Sequence, residues 1–250
     1  MGYAIAIAGK GGTGKTTIAA LIIRILKEKK AGSILGIDAD PNSNLAEILG
    51  IIPKQTIGRI LDEISSHQHT VPVGMPKDRF IEYQVQTAIE EGEGFDVLTM
   101  GRPEGPGCYC YVNNTLRNVT DKLIKDYDYV VIDNEAGLEH LSRRTTRSAD
   151  VMVIVSGPTV IGLRAAKRIQ DLSRELDIKI KKSLLIVNRL NNHIDLNQVG
   201  KVGVPYLADI PVDNEISILS INGSSIWELN GTAPCIASLR KSGEAIWERN

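Results

Sequence analysis

A glycine-rich segment near the start of the chain, GKGGTGKTT at residues 9–17, most constrains what the chain can fold into. It matches the pattern G-x-x-x-x-G-K-[ST], directly after an apolar run at Tyr3–Ala8 and directly before a helical pattern at Lys15–Lys29. Glycines let the backbone curl so that its N–H groups face phosphate oxygens, and the following helix adds the positive end of its dipole. The segment therefore predicts a strand–loop–helix unit that binds the phosphates of a nucleotide.

The residues of this loop have separate expected roles. Lys15 is expected to reach the β- and γ-phosphates, and the Thr16 hydroxyl is expected to bind Mg²⁺. The rest of the predicted nucleotide-binding loop consists of Gly9, Lys10, Gly11, Gly12, Thr13, Gly14 and Thr17.

The remainder of the chain alternates short apolar runs with longer amphipathic stretches, which predicts βαβ crossovers. The predicted strands are Tyr3–Ala8, Ser33–Asp38, Phe95–Met100, Tyr129–Asp133, Val151–Ser156, Leu184–Asn188 and Val204–Ile210. The predicted helices are Lys15–Lys29, Arg117–Lys125, Leu138–Ser148 and Val160–Leu176, with more helix after Asp213. We expect Ile51–Lys77 to be the least regular part. The expected fold is one α/β domain over residues 1–250, with a mostly parallel central sheet and helices on both faces.

Composition narrows the classes of partner. The 29 basic and 30 acidic residues leave a net charge of −1, which provides no electrostatic footprint for nucleic acid or anionic lipid. No apolar run approaches the roughly 20 residues that a membrane span requires, and the N-terminus enters its first strand without a leader pattern. Three cysteines are too few for a disulfide framework and indicate a reducing compartment. We therefore expect a cytoplasmic protein without nucleic-acid or membrane partners.

Lys10 is a second lysine in the phosphate loop, and one chain does not need it in order to hold phosphate. With it, the loop resembles that of the MinD/ParA/nitrogenase iron-protein group, xKGGxxGK[ST]. In that family the second lysine crosses a homodimer interface to the partner's nucleotide. The resemblance implies an ATP-dependent homodimer in which Lys10 and Lys15 neutralise charge during hydrolysis. The alternative interpretation of Lys10 is a solvated loop charge.

Two carboxylate segments fit the same family. The segment Ile37–Asn42 matches its first switch region, in which Asp40 would position the attacking water and Asp38 would support the magnesium shell. For Asp38, an Asp-Pro helix start that only caps is the alternative. The apolar run Val130–Asp133 ends in a carboxylate, a pattern typical of residues that bind Mg²⁺ through water. The residues that match the family's adenine-binding positions, and so imply ATP or ADP, are Asn188, Pro211 and Asp213.

Two of the three cysteines stand one residue apart in the segment EGPGCYC. Side chains two residues apart in an extended segment point to the same side, so Cys108 and Cys110 could bind one metal ion. Thiolates select soft metals, and a closed site needs four of them, which the two-fold axis of a homodimer would supply. An inert or redox-active pair is the alternative. Cys235 is expected to be a buried core residue.

Four segments together, GKGGTGKTT, DADPNSNL, EGPGCYC and DNEAGLEHLSRRT, resemble the CooC family. These ATPases mature nickel carbon monoxide dehydrogenase, and the similar AcsF proteins act on acetyl-CoA synthase. The resemblance runs essentially end to end. It implies Ni²⁺ or Zn²⁺ held between the cysteine pairs of two chains, ATP hydrolysis that accompanies nickel delivery, and one of those two enzymes as the client.

Two other functions stay open at this point. One is an ATP switch that positions cell components, as in MinD and ParA, although the C-terminus SLRKSGEAIWERN lacks the basic amphipathic pattern of a membrane helix. The other is a reductase like the nitrogenase iron protein, although no cysteine lies near Asp133. His67 and His69 could join a metal site or lie on a surface loop, and no role is assigned to His140.

Overall fold

A single eight-stranded sheet forms the centre of the molecule. The computed structural model describes residues 2–65, 72, 74–101, 118–119, 121–135, 148–191 and 194–249. Its strands are β1 (Tyr3–Gly9), β2 (Ile34–Asp38), β3 (Ile89–Gly92), β4 (Phe95–Thr99), β5 (Tyr129–Asp133), β6 (Ser148–Ser156), β7 (Lys179–Leu190) and β8 (Tyr206–Pro211). They are ordered β3-β4-β2-β5-β1-β6-β7-β8, and β3 is antiparallel to β4 while the other neighbours are parallel. The predicted α/β fold with a mostly parallel sheet is confirmed.

Helices pack on both faces of this sheet. They are α1 (Lys15–Glu28), α2 (Asn44–Ile48), α3 (Ile57–Ser65), α4 (Lys77–Thr87), α5 (Val160–Glu175), α6 (Leu196–Gly200), α7 (Asn214–Asn222), α8 (Pro234–Ser242) and α9 (Glu244–Trp247). A 3₁₀ turn covers Ile226–Glu228, and residues 121–126 are also helical. Among the described residues, none of the helices combines the length and the apolar character that crossing a membrane demands.

The central strand β1 shows how its sequence produces this arrangement. Ile5 and Ile7 pack into the core that α1 and the C-terminal helices share, whereas Ala6 and Ala8 pack into the core under α5. Successive side chains of a strand point to opposite faces, so the alternation of isoleucine and alanine fills both layers. Because β1 lies between β5 and β6, the loop that follows it opens at the middle of the sheet's carboxyl edge.

Three local features differ from the expectations. The antiparallel strand β3 was not predicted, because its sequence IEEG shows no apolar run and it depends on pairing with β4. The predicted helix Leu138–Ser148 lies outside the described residues except for Ser148, which begins β6. The segment expected to be irregular contains α3, whose apolar residues recur at helical spacing. The four buried side chains of that helix are Ile57, Ile60, Leu61 and Ile64.

Candidate functional site

The phosphate loop connects β1 to α1 and depends on two glycines for its shape. Gly12 and Gly14 have left-handed backbones, with φ of +78° and +88°, which glycine adopts without steric cost. A Cβ atom on Gly14 would lie 2.3 Å from Nδ2 of Asn188, so a larger residue would also collide there. The glycine pattern therefore reflects both backbone conformation and close packing against β7.

Hydrogen bonds within the loop hold it closed. The hydroxyl and the N–H of Thr13 both donate to the carbonyl of Lys10, at 2.8 and 3.3 Å. Lys15 begins α1 and is buried, whereas Lys10 is exposed. Since the first N–H groups of a helix have no intrahelical acceptor, the start of α1 suits a phosphate. The loop has the form predicted for binding an anion, and Lys10 has the exposure that a contact with a second chain requires.

Asp133 ends β5 beside this loop and is fully buried. Neither of its carboxylate oxygens accepts a hydrogen bond from another residue that the structure describes. Burial raises the pKa of Asp133 to about 7, and the charge of Asp38 adds to this, whereas the Thr16 hydroxyl and Lys15 lower it. The contact with Thr16 does not have the geometry of a normal hydrogen bond, so the buried carboxylate stays poorly compensated. A divalent cation between it and the Thr16 hydroxyl would relieve that cost. The residues present therefore fit a Mg²⁺ ion.

Asp38 lies directly opposite Asp133 in the pairing of β2 with β5, but its surroundings differ. Its Oδ2 accepts hydrogen bonds from the N–H groups of Leu45 and Ala46, at 2.8 and 3.3 Å, at the start of α2. Its Oδ1 accepts the N–H of Asp40 at 3.3 Å. Burial raises the pKa of Asp38 to about 6, and the backbone N–H groups lower it. The capping interaction is therefore present, and support of the magnesium shell stays a prediction.

Asp40 stands at the wall of the site. Its side chain is half-buried and lines the pocket that also contains Lys15 and Thr16. The backbone N–H and the side-chain amide of Asn42 both donate to Asp40 Oδ1, each at 2.9 Å. These two bonds orient the carboxylate and leave Oδ2 for another partner. The geometry is compatible with the predicted positioning of a water molecule.

The pocket has a volume of about 580 Å³ and reaches from the phosphate loop to α7. Part of its lining is polar and includes the loop, Asp40 and Glu135. The apolar part of the lining comes from α2, α7 and the 3₁₀ turn, namely Ile48, Ile216, Leu219 and Ile226. A pocket with polar groups for phosphates and apolar groups for a base is typical of a nucleotide site. Sequence reasoning missed this apolar wall, for which the only signal was the helical spacing of Ile216 and Leu219.

The three predicted adenine-binding residues lie near the carboxyl ends of β7 and β8, and none of them is among the residues that line the pocket. Asn188 is buried, and its Nδ2 donates to the Thr13 carbonyl at 2.8 Å. Asp213 caps α7 through the N–H of Glu215 at 3.0 Å. Pro211 ends β8 and is half-buried. Each therefore has a structural position next to the loop or α7, and contact with adenine stays a prediction.

The predicted soft-metal site lies outside the described residues. This holds for Cys108 and Cys110, and also for His67, His69 and His140. Within the described ranges, no group of three or more His, Cys, Asp and Glu side chains is arranged to hold a metal ion. Cys235 lies in α8 with 2% of its surface exposed, as predicted for a core residue. Burial raises the pKa of its thiol to about 12.

Comparisons with known proteins show which proteins this chain is similar to. The sequence profile described as "CobQ/CobB/MinD/ParA nucleotide binding domain" matches residues 4–226. An uncharacterized ATP-binding protein of Methanocaldococcus jannaschii is 42% identical over 230 residues, covering 90% of both chains. The carbon monoxide dehydrogenase accessory protein CooC of Rhodospirillum rubrum is 30% identical over 244 residues, covering 90% of both. The crystal structure of the cell division ATPase MinD of Pyrococcus furiosus has the same fold, with a TM-score of 0.72 at 22% identity over 98% of both chains.

Proposed function

Because the chain belongs to the CobQ/CobB/MinD/ParA family of nucleotide-binding domains, we propose that it is a Mg²⁺-dependent ATPase that forms a homodimer with its nucleotide. The observation that carries this proposal is the buried Asp133, whose carboxylate lies beside the Thr16 hydroxyl of the phosphate loop and accepts no hydrogen bond of normal geometry from the described residues. A buried carboxylate without hydrogen bonds destabilises the protein when no ligand is bound. The same carboxylate would bind the cation that enters the site with the nucleotide.

In the proposed hydrolysis each of these residues has a separate role. Lys15 and the N–H groups at the start of α1 bind the β- and γ-phosphates. Thr16 and Asp133 would hold Mg²⁺, which when bound neutralises charge on the phosphate oxygens. Asp40, oriented by Asn42, holds a water in line with the γ-phosphorus. The water oxygen bonds to phosphorus and the bond from phosphorus to the bridging oxygen breaks. One proton of the water stays on the phosphate, the other passes to solvent, and ADP and phosphate leave. Lys10 of each chain extends to the nucleotide of its partner.

Measurement of phosphate release tests the ATPase proposal. We expect Asp40→Asn to reduce kcat by more than about 100-fold while ADP binding is retained, because Asp40 orients water rather than phosphate. We expect Lys15→Ala to lose nucleotide binding. Glu93→Gln is the matched control, since Glu93 is 97% exposed and lies in the turn between β3 and β4. Hydrolysis by Asp40→Asn at the wild-type rate would contradict the assignment.

We also propose that the protein carries a metal ion as cargo, one Ni²⁺ or Zn²⁺ bound by Cys108 and Cys110 of two chains. The ATPase would then assist nickel insertion into carbon monoxide dehydrogenase or acetyl-CoA synthase. Support comes from the C-x-C spacing, from the dimer that Lys10 implies, and from the 30% identity to the CooC accessory protein. Four thiolates shared about a two-fold axis complete a tetrahedral soft-metal site.

Sizing with metal analysis tests the cargo proposal. We expect one nickel per two chains in the wild type, with and without ADP, and none in the Cys108→Ser/Cys110→Ser double variant. Cys235→Ala serves as the control, because this buried thiol lies in α8. Nickel-dependent dimers of the double variant would refute the shared site.

A positioning switch is the second candidate function. It is favoured by the septum site-determining protein MinD of Synechocystis, which is 27% identical over 231 residues. Such a protein would associate with membrane or DNA when ATP is bound. Co-sedimentation with vesicles of anionic lipid, and with DNA, in the presence of ATP separates the two functions, because the metal-delivery proposal predicts no association with either.

A further inference from the structure

Arg189 has a backbone conformation that arginine rarely adopts, with φ of +59°. Three other described non-glycine residues have positive φ, and all three stand next to a helix: Lys30, Ser43 and Asp177. A left-handed residue commonly closes a helix, so Lys30 and Asp177 occupy ordinary positions. Arg189 instead lies inside strand β7. A strained residue inside a strand, at the wall of the nucleotide pocket, points to a functional constraint.

The strain accompanies a bulge in the pairing of β7 with β8. Asn188 pairs with Ile210, and Leu190 pairs with the next residue, Pro211, so that Arg189 is an extra residue on β7. In a regular strand the side chains of residues 188 and 189 would point to opposite faces of the sheet. The bulge removes this alternation, so that both side chains can extend to the same loop.

Both side chains contact consecutive carbonyls of the phosphate loop. Asn188 Nδ2 donates to the carbonyl of Thr13 at 2.8 Å, and Arg189 Nη1 donates to the carbonyl of Gly12 at 3.3 Å. The backbone N–H of Arg189 donates to Asn188 Oδ1 at 2.9 Å, which fixes the amide with its Nδ2 towards the loop. The bulge therefore connects two successive residues of β7 to two successive residues of the loop.

This connection sets the direction of the loop's N–H groups. A peptide unit is planar and trans, so its C=O and N–H point in opposite directions. Because the Thr13 carbonyl is held towards β7, the N–H of Gly14 in the same peptide unit faces away from β7. Gly14 lines the nucleotide pocket. The Asn188 bond thus orients the N–H of Gly14 before any phosphate is bound. The Arg189 bond holds the Gly12 carbonyl, so that the N–H of Thr13 in the same peptide unit stays on the Lys10 carbonyl and the loop stays closed.

We propose that the Asn188–Arg189 bulge is a brace that presets the phosphate loop, and that Arg189 is a positioning residue for the nucleotide's phosphates. The inference rests on the proposed binding of nucleotide by this loop and adds a residue that the glycine pattern does not contain. Arg189 acts on the phosphate loop, through its hydrogen bond to the Gly12 carbonyl, and not on the base of the nucleotide. Its strained backbone is retained because it places the guanidinium at the loop.

Glycine and alanine substitutions separate the backbone of Arg189 from its side chain. Arg189→Gly relieves the left-handed strain and removes the guanidinium, so we expect a higher midpoint of thermal unfolding and weaker ADP binding. Arg189→Ala keeps the strain and removes the guanidinium, so it should weaken ADP binding without the gain in stability. One lost hydrogen bond corresponds to about three- to tenfold in affinity. Arg189→Lys restores a donor and should recover part of the affinity.

Lys30→Gly and Asp177→Gly are the matched controls, because both residues are left-handed and neither lines the pocket. Both should raise the unfolding midpoint and leave ADP affinity unchanged. Calorimetric titration with pyrophosphate and with adenosine gives the deciding readout. A brace on the phosphate loop predicts that Arg189→Gly weakens pyrophosphate and ADP by similar factors and leaves adenosine unchanged.

Three results would overturn the inference. Wild-type ADP affinity in Arg189→Gly and Arg189→Ala would show that no brace exists. An equal loss for adenosine would show that Arg189 contacts the base instead of presetting the loop. If the wild-type protein bound neither ADP nor pyrophosphate, the proposed nucleotide function itself would fail, and the brace with it.

Discussion

Replacing Asp133 by asparagine should make the protein more stable while it removes its function. Burial raises the pKa of this carboxyl from its ordinary 3.8 to about 7. Each pKa unit corresponds to about 1.4 kcal/mol, so the ionised side chain costs the folded state about 4 kcal/mol above pH 7. A neutral amide avoids this cost. The unmet hydrogen bonds of the buried amide cost about 1–2 kcal/mol of this gain, so the expected net increase in the free energy of unfolding is about 2–3 kcal/mol.

The sign of the pH dependence follows from the raised pKa. Between pH 3.8 and about 7 the folded protein binds the Asp133 proton more tightly than the unfolded chain does. The contribution of this group to stability therefore falls as pH rises through that window and is constant above it. Asparagine does not titrate there. The difference in stability between variant and wild type should consequently be larger at pH 8 than at pH 5.

Urea denaturation at pH 5 and pH 8, with EDTA and without nucleotide, measures this difference. Asp150→Asn is the matched control. Its carboxylate accepts the N–H of Ala4 at 2.8 Å and pairs with Lys181 at 2.6 Å, so its replacement should lower the free energy of unfolding by about 1 kcal/mol. Addition of Mg²⁺ and ADP should then stabilise the wild type more than Asp133→Asn, because a ligand that binds only the native state stabilises it and the variant lacks the carboxylate that would hold Mg²⁺.

One outcome would refute the reasoning. If Asp133→Asn were no more stable than the wild type at pH 8, burial of the ionised carboxylate would not destabilise the folded protein. The structural basis for a cation beside Thr16 would then be lost.

Three further substitutions have clear expected effects. Gly14→Ala should lower the free energy of unfolding by about 2–3 kcal/mol, because the new Cβ would lie 2.3 Å from Asn188 Nδ2 in a left-handed residue; an unchanged thermal midpoint would contradict this. Arg24→Ala should cost about 2–4 kcal/mol in urea denaturation, because the buried guanidinium donates to two backbone carbonyls around the 3₁₀ turn, at 2.7 and 2.8 Å. Lys10→Ala should keep ADP binding and lose the ATP-dependent dimer in sizing experiments; a dimer that persists would make Lys10 a solvated charge.

Much of the fold could be predicted because its signals are local. The alternation of isoleucine and alanine in β1 and the apolar run of β5 specify buried parallel strands without reference to the rest of the chain. Strand β3 could not be predicted in this way. Its residues carry no apolar pattern, and only pairing with β4 makes them a strand.

The same distinction applies to the candidate site: some of its features could be predicted from local sequence, and others could not. The motif was sufficient to identify the loop, Lys15 and Thr16, because a phosphate-binding turn needs glycines and a helix start at adjacent positions. The sequence could not show how the surroundings of Asp38 and Asp133 differ, because each carboxylate ends an apolar strand. In the fold one accepts three backbone N–H groups and the other none from the described residues.

The physical reason is that backbone conformation depends on neighbours in the chain, whereas desolvation and hydrogen bonding depend on what packs around a group. The conformations of the glycine-rich loop and of the strand before it are determined by their own residues. The bulge at Arg189, the apolar wall on α7 and the burial of the Asp133 carboxylate arise only when distant parts of the chain pack together. Local sequence was therefore sufficient to predict the glycine-rich loop, and the assembled sheet was needed to show which residues of β7 contact that loop and which buried carboxylate would suit a cation.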